Sequence, residues 1–353
     1  MRMRSVGAFS QTLRQPALGE GSRKFGRKTS YGAMMLMRES PDDRHYTVSA
    51  TGVWKKRGGI DVLRGLDMYV RRGERYGIMG TNGAGKSSLI NIILGLTPPD
   101  RGTVTVFGKD MRRQGHLARA RIGVVPQDDC LEQNMTPYEN VMLYGRLCRM
   151  TASEARKRAD QIFEKFSMMD CANRPVRLLS GGMRRLTMVA RALVNDPYVI
   201  ILDEATVGLD AKSRSALWQQ IEASNATGAT VLVISHLAED LERMTDRIAC
   251  ICAGTVRAEW ETAALLKALG ALKILEIDHS VSPRGKELFC NHGLHVHEND
   301  GRLSAVHPSS DFALEAVLKK EAVPTTTRFA TLDDIIRFPG FPWTGVGGVN
   351  GEK

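Results

Sequence analysis

The sequence predicts an α/β fold built on a parallel β-sheet, and three stretches of the 353-residue chain carry this prediction. Residues 76–79 form a short apolar run that enters a glycine-rich loop and then a helix-forming segment at 88–94. Residues 198–204 form an unbroken apolar run that ends in two acids, which is typical of a strand buried on both faces. Residues 179–193 begin with Leu-Ser-Gly-Gly-Met and continue with apolar residues at helical spacing.

The glycine-rich loop predicts a nucleoside triphosphate site. It spells G-x-x-x-x-G-K-S through Gly80, Thr81, Asn82, Gly83, Ala84, Gly85, Lys86 and Ser87, and Ser88 opens the helix. Glycines let the backbone N–H groups approach phosphate oxygens, and the N-terminus of the helix adds a favourable dipole. A lysine at this position reaches the β- and γ-phosphates, and a serine hydroxyl completes the Mg²⁺ shell.

The acids at the end of the second run predict where the chemistry occurs. Asp203 and Glu204 follow the strand, and α/β folds bind ligands at the carboxyl ends of parallel strands. We expect Asp203 to hold Mg²⁺, directly or through water, and Glu204 to polarise the attacking water. Ser180 is a favourable N-cap, and the glycines at 181 and 182 let an anion approach the next helix. From the residues alone, that second anion site has no ligand assigned to it.

Six motifs, in the order in which they occur along the chain, resemble those of the ABC ATPases. Besides the phosphate-binding loop and the acidic strand end, residues 124–127 resemble the Q-loop, 179–183 the LSGGQ signature with Met for Gln, 205–210 the D-loop and 234–236 the switch histidine. The resemblance covers about residues 50–265. It implies a P-loop NTPase of ABC type, with a mixed sheet core, a helical insert at about 128–180 and a small C-terminal α+β extension.

The resemblance also implies a shared ATP site. Two copies would close head to tail on ATP and Mg²⁺ as a homodimer. One copy would hold ATP and the metal with Lys86, Ser87, Gln127 and Asp203, while the other would contribute Ser180, Gly181 and Gly182. Glu204 would orient the water and His236 would contact the γ-phosphate, so the implied catalytic set is Lys86, Gln127, Glu204 and His236.

Within this family the chain is most similar to exporter ATPases that pair with a separate type-2 permease. Residues 121–127, 139–141 and 180–186 carry this similarity, which is greatest to nodulation-factor (lipo-chitooligosaccharide) export ATPases. Daunorubicin-type drug-resistance ATPases are the nearest competitor. The resemblance implies export of a lipo-oligosaccharide or an amphipathic drug, a permease contact at about residues 128–148, and a peripheral location on the cytoplasmic face of the inner membrane.

The chain departs from the family pattern at the adenine-stacking position. Arg57 stands where an aromatic residue is expected. Two alternatives remain open: Arg57 covers the base with its guanidinium, or Trp54 does so with its indole. The D-loop begins with Ala205 where the family usually has Pro, and Ser235 stands where Thr is usual. These departures keep a weakly active paralogue as an alternative.

Composition limits the remaining possibilities. Hydrophobic residues make up 42% and charged residues 25% of the chain, values typical of a globular protein, and no run approaches 18 apolar residues. We therefore expect the permease to be another chain. The six cysteines show no zinc-type pairing and suggest a reducing cytoplasm.

The net charge of +10 raises the alternative of a soluble ABC ATPase acting on nucleic acid or ribosomes. Translation-type members carry two cassettes, and DNA-repair members carry long insertions. This chain has one phosphate-binding loop and no room for such insertions, so no nucleic-acid partner is expected.

The two ends of the chain carry no recognisable chemistry. Residues 1–45 hold nine Lys or Arg and four Asp or Glu, a net charge of +5, and are predicted to be a basic disordered tail. A lipid contact, a transit peptide, and a mis-called start codon or solvated tail all remain open for it. The ABC domain is expected over 46–268. An accessory domain is expected over 269–353, with a strand at 273–277 and a helix at 312–318.

Overall fold

The computed structural model describes residues 45–278, 285–291, 294, 296–299, 302–308, 312–320 and 324–338. The predicted tail at 1–45 lies, apart from its last residue, outside the described residues. The strands are Tyr46–Arg57 (β1), Ile60–Arg71 (β2), Arg75–Met79 (β3), Arg101–Val106 (β4), Lys109–Asp110 (β5), Ile122–Val125 (β6), Val199–Asp203 (β7), Thr230–Ile234 (β8), Arg247–Cys252 (β9), Thr255–Glu261 (β10), Leu272–Asp278 (β11), Val296–Asn299 (β12), Arg302–Pro308 (β13) and Thr325–Phe329 (β14).

Helices separate many of these strands along the chain. They are Lys86–Ile93 (α1), Met111–Arg119 (α2), Pro137–Leu147 (α3), Ala152–Lys165 (α4), Gly181–Leu193 (α5), Ala211–Ala226 (α6), Ala238–Met244 (α7), Thr262–Leu269 (α8), Gly285–Asn291 (α9), Phe312–Lys320 (α10) and Leu332–Arg337 (α11). Short 3₁₀ turns occupy Met169–Cys171 and Val176–Leu178. No helix among the described residues is long and apolar enough to span a membrane.

The central sheet has six strands in the order β10-β9-β3-β8-β7-β6. Its strands pair in parallel except at the β10 edge, which is antiparallel. The apolar run predicted as a buried strand is β7, whose first four residues are buried between β6 and β8. Because β3, β7 and β8 are parallel, the segments that follow them meet at one edge of the sheet. This edge brings together the phosphate-binding loop, the acidic pair and the switch histidine.

A second, antiparallel sheet has the order β2-β1-β4-β5. Along β2, Leu66, Met68 and Val70 are buried at alternate positions, so one face packs onto the core beside α1. The hairpin between β1 and β2 turns at Gly58 and Gly59, which both have positive φ angles. This hairpin ends next to the phosphate-binding loop.

The helical insert predicted at about 128–180 contains α3 and α4. A capping box begins α4: the Thr151 hydroxyl accepts from Glu154 N, and the Glu154 carboxylate accepts from Thr151 N. An apolar stripe along this helix is buried. Its members are Ala155, Ala159, Ile162, Phe163 and Phe166. The stripe therefore belongs to the core.

The C-terminal region forms an antiparallel sheet of order β12-β13-β11-β14 with α9 and α10. The predicted strand and helix are present as β11 and α10. One group of residues makes a small separate core: Leu275, Ile277, Phe289, Leu303, Ala305 and Leu318. Others join the main core beside α7 and α8, among them Ile274, Leu332, Ile335 and Phe338. The boundary at 268/269 stays a prediction.

Candidate functional site

The phosphate-binding loop requires glycine at two positions where the backbone passes close to neighbouring strands. Gly80 has φ 156°, and a Cβ there would lie 2.3 Å from the carbonyl oxygen of Ile251. Gly85 has φ 106°, and a Cβ there would lie 2.5 Å from the carbonyl oxygen of Val62. Any side chain at either position would displace a backbone, so the loop keeps its narrow path. The loop ends at Lys86, where α1 begins.

Backbone carbonyls of the phosphate-binding loop hold the side chain of Lys86 in place. Its Nζ donates to the carbonyl oxygens of Gly80, at 2.7 Å, and Thr81, at 3.0 Å. Burial lowers the pKa of the Lys86 ammonium, while the nearby carboxylates of Glu204 and Asp203 act in the opposite direction. A partly desolvated ammonium that faces two acids is positioned for a polyanion bridged to a divalent cation.

The acidic pair lies at the end of β7, opposite Lys86. Burial, and then the charge of Glu204, raises the pKa of Asp203, and Lys86 opposes this shift. Glu204 has a left-handed backbone with φ 52°, and its N–H donates to the carbonyl of Ile234 at 2.8 Å. Its Oε1 lies 3.2 Å from Nδ1 of His236, which is more than half exposed. The structure therefore joins the predicted catalytic carboxylate to the predicted switch histidine.

A cavity of about 240 Å³ gathers most of the predicted nucleotide residues. Its lining consists of Arg57, Val62, Asn82, Gly83, Ala84, Gly85, Lys86, Ser87, Ser88, Gln127, Asp203 and Glu204. The hydroxyl of Ser87, the side-chain oxygen of Gln127 and the carboxylate of Asp203 are all hard oxygen donors, which suit Mg²⁺. The backbone cradle and the lysine suit a triphosphate. The residues present therefore fit ATP and Mg²⁺.

The signature residues Ser180, Gly181 and Gly182 lie outside this cavity. Ser180 caps α5 by accepting a hydrogen bond from Met183 N at 3.3 Å. Gly181 lines a second cavity of about 390 Å³, which shares only Gln127 and Glu204 with the first. A Cβ added at Gly181 would meet nothing within 4 Å, so this helix start is open. Ser180, Gly181 and Gly182 do not line the nucleotide cavity of their own chain.

The geometry separates the two candidates for the base. Arg57 pairs with Ile60 at the tip of the β1–β2 hairpin and lines the nucleotide cavity. Trp54 lies three residues earlier in β1, with its indole Nε1 3.2 Å from the position that a Cβ at Gly65 would take, and it does not line that cavity. Of the two candidates, Arg57 is the one that lines the nucleotide cavity.

A buried arginine that the sequence did not single out ties this site together. Arg185 of α5 is 7% exposed and donates only to backbone carbonyls. Its acceptors are the carbonyls of Pro126 (2.7 Å), Gln127 (3.0 Å), Asp203 (3.3 Å), Glu204 and Ala205 (2.8 Å). Burial lowers the pKa of this guanidinium. Arg185 thus connects the signature helix, the Q-loop and the acidic strand end.

The parallel sheet, the glycine loop and the acidic strand end define a P-loop NTPase of the ATP-binding-cassette class. The sequence model described as ABC transporter matches residues 63–207. Two proteins named Nod factor export ATP-binding protein I are 40% identical to this chain. The one from Ralstonia nicotianae aligns over 219 residues, 62% of this chain and 68% of the relative. The one from Rhizobium johnstonii aligns over 230 residues, 65% of this chain and 74% of the relative. The chain belongs to the ABC transporter ATP-binding family, and it is an ATPase.

Solved structures agree with this assignment. The ATP-binding subunit of an ABC transporter superposes with a TM-score of 0.59 and 25% identity, over 64% of this chain and 93% of that one. An ATP-binding cassette solved as a dimer in a post-hydrolysis state with ADP and Pi gives a TM-score of 0.57 and 30% identity, over 61% of this chain and 98% of that one. The predicted fold class and family are confirmed.

Proposed function

We propose that two copies of this chain close head to tail on two molecules of ATP and use the closure to drive a separate membrane permease. The observation that carries this proposal is the separation of the site into two parts. The nucleotide cavity contains the lysine, the metal donors and Glu204, while the open N-terminus of α5 lines a different cavity. A helix N-terminus with an exposed serine and two glycines binds anions, so a second copy can supply it.

The chemistry rests on positioning and electrostatics, as phosphoryl transfer generally does. Lys86 neutralises the β- and γ-phosphates, and Ser87, Gln127 and Asp203 hold Mg²⁺. Glu204 orients the attacking water by accepting a hydrogen bond from it, which makes the water oxygen more nucleophilic. His236 lies on the open side of Glu204, where it can contact the γ-phosphate.

The test is the substitution Glu204→Gln, which keeps size and hydrogen bonding but removes the charge that aligns water. Single-turnover hydrolysis should fall by ~10²-fold or more while ATP still binds. With ATP and Mg²⁺, light scattering should show dimers that revert to monomers without nucleotide. Glu164→Gln, an exposed acid on α4, is the matched control and should hydrolyse at the wild-type rate. A strictly monomeric profile under saturating ATP would contradict the sandwich.

The permease and the cargo are the finer part of the proposal. Relatives 40% identical to this chain are named for Nod factor export, so we propose a type-2 permease and an amphipathic lipo-oligosaccharide cargo. The contact surface is residues 128–148, where α3 presents Leu143 and Leu147, 40% and 72% exposed. The chain would then lie on the cytoplasmic face of the inner membrane.

Vesicles test this part directly. Inside-out vesicles containing the chain and a co-expressed six-helix permease should accumulate a radiolabelled lipo-chitooligosaccharide only with hydrolysable ATP. Leu147→Glu should abolish accumulation and leave the ATPase of the isolated chain unchanged, whereas Leu117→Glu on α2, a similarly exposed leucine, should leave both unchanged. Accumulation of daunorubicin but not of the lipo-oligosaccharide would contradict the proposed cargo.

A further inference from the structure

Four buried side chains form a polar cluster behind the catalytic edge. Asp240 of α7 is 2% exposed, as are Thr206 and Ser235, and Trp218 of α6 is 5% exposed. The Asp240 Oδ2 accepts hydrogen bonds from the Thr206 hydroxyl and, at 2.8 Å, from the Ser235 hydroxyl. Its Oδ1 accepts from the Trp218 indole N–H at 3.3 Å. Within residues 45–278 this carboxylate forms no ion pair, so three neutral donors stabilise a buried charge.

The Ser235 hydroxyl is fixed from both sides. It donates to Asp240 and accepts from the backbone N–H of Leu237 at 3.0 Å. His236 is the residue between Ser235 and Leu237, so this hydroxyl determines the backbone from which the histidine projects. Ser235 thus connects Asp240 to the backbone of His236, whose Nδ1 lies 3.2 Å from Oε1 of Glu204.

The same carboxylate holds the D-loop, which we define as residues 205–210. The family's usual proline is absent here, and the turn begins with Ala205. Thr206, two residues after Glu204, is tied to Asp240. The loop is thus fixed by a side-chain hydrogen bond at the point where a proline ring would otherwise stiffen it.

We propose that Asp240 is a positioning residue that makes the D-loop and His236 one mechanical unit. A movement of residues 205–210 on dimer closure then moves the histidine relative to Glu204, because Thr206 and Ser235 share one carboxylate oxygen. The inference rests on the proposed role of His236 at the γ-phosphate. It assigns Asp240 no contact with ATP.

Asp240→Asn is the informative substitution because asparagine cannot satisfy the cluster. With its oxygen in place of Oδ2, its NH₂ group points at the Trp218 N–H, donor against donor. In the flipped orientation the NH₂ faces two hydroxyls that must both turn their hydrogens away from it, so the Ser235 and Thr206 hydroxyls lose the acceptor that Asp240 provides. Trp218→Phe removes the opposing N–H and should restore the first orientation.

The experiment is a double-mutant cycle on single-turnover ATP hydrolysis in the full chain. Asp240→Asn should slow hydrolysis about 10-fold, with fluorescent ATP affinity and melting temperature little changed. In a His236→Ala background it should slow hydrolysis less than twofold, because the histidine it positions is gone. Adding Trp218→Phe to Asp240→Asn should recover most of the rate.

Other results would overturn the inference in distinguishable ways. If His236→Ala alone hydrolyses ATP at the wild-type rate, the proposed role of the histidine fails and the positioning inference fails with it. If His236→Ala is slow and Asp240→Asn slows it a further 10-fold, only the positioning inference fails. Should Asp240→Asn not fold, Ser235→Ala and Thr206→Val each remove one hydrogen bond to Asp240, and Ser235→Ala also removes the acceptor of the Leu237 N–H. A wild-type rate in both variants would overturn the inference equally.

Discussion

The phosphate-binding loop and the signature segment both lead into helix N-termini, a kind of site that favours anions, yet their surroundings differ. Around the loop, strands approach so closely that a Cβ at Gly80 or Gly85 would strike a backbone carbonyl. Around the signature, a Cβ at Gly181 would meet nothing within 4 Å. The loop is preorganised by its own chain, whereas the signature is open on the side where a second copy would bind. We call the phosphate-binding loop the rigid half of the nucleotide site. We call the signature segment the unfinished half, because it would be completed by a second copy.

The largest expected effect falls on the rigid half. Lys86→Ala removes the ammonium that faces the phosphates and should weaken ATP binding by about 2–5 kcal/mol, the cost of removing one partner of a buried charge pair. Titration with a fluorescent ATP analogue measures the loss. Lys157→Ala, at an exposed position on α4, is the control for removing one positive charge and should bind normally. Unchanged affinity in Lys86→Ala would contradict the loop as the phosphate site.

Arg185 links the two halves, so its removal tests whether they form one structure. Arg185→Met leaves five carbonyls of buried segments without their donor and should lower the free energy of unfolding by about 3 kcal/mol. Urea denaturation followed by circular dichroism measures it. The adjacent Arg184 forms only a partly exposed pair with Asp129 at 3.4 Å, so Arg184→Met should change stability by less than about 1 kcal/mol. Equal effects in the two variants would contradict the bridge.

The unfinished half is tested by mixing defective subunits. Lys86→Ala spoils the loop of its own copy, and Ser180→Arg spoils the signature offered to the other copy. Each variant alone should be nearly inactive. A 1:1 mixture should recover at most about a quarter of wild-type turnover, because half of the dimers are mixed and each mixed dimer has one intact site. No recovery across mixing ratios would mean that the signature serves its own chain.

The smallest effect is expected at the base. Arg57→Tyr should tighten ATP binding by ~0.5–1.5 kcal/mol, because a phenol ring covers adenine more completely than a guanidinium. Trp54→Ala should change affinity little, because the indole packs on Gly65 and lies outside the cavity. Fluorescence titration of both variants decides between them. The reverse pattern would mean that the hairpin rearranges when nucleotide binds.

The rigid half was predictable because the residues that form it are contiguous in the sequence. A strand, a glycine loop and a helix follow one another within 20 residues, and β7 with its two acids is equally local. The choice between Arg57 and Trp54 was not predictable, since β1 contains several register shifts that no hydrophobic period reveals.

Arg185 and Asp240 were missed for a different reason. The acceptors of Arg185 lie 18 to 59 residues away in sequence and are all backbone carbonyls, which carry no side-chain signal. Asp240 reaches Thr206, Trp218 and Ser235 across three elements of the fold. On the sequence, Asp240 looks like one more acid at the start of a short helix. Only the tertiary structure shows that it is buried.

The left-handed backbone of Glu204 lowers the stability of the fold at a position where turnover requires a carboxylate. Its φ of 52° costs an ordinary L-residue about 1–2 kcal/mol, a cost that glycine avoids and asparagine largely avoids. Directed evolution for heat resistance would therefore tend to enrich Gly or Asn at position 204. Those clones would lack the carboxylate that orients water. Any thermostabilisation of this ATPase must consequently screen for turnover at every round, because the most heat-resistant descendants would include catalytically dead ones.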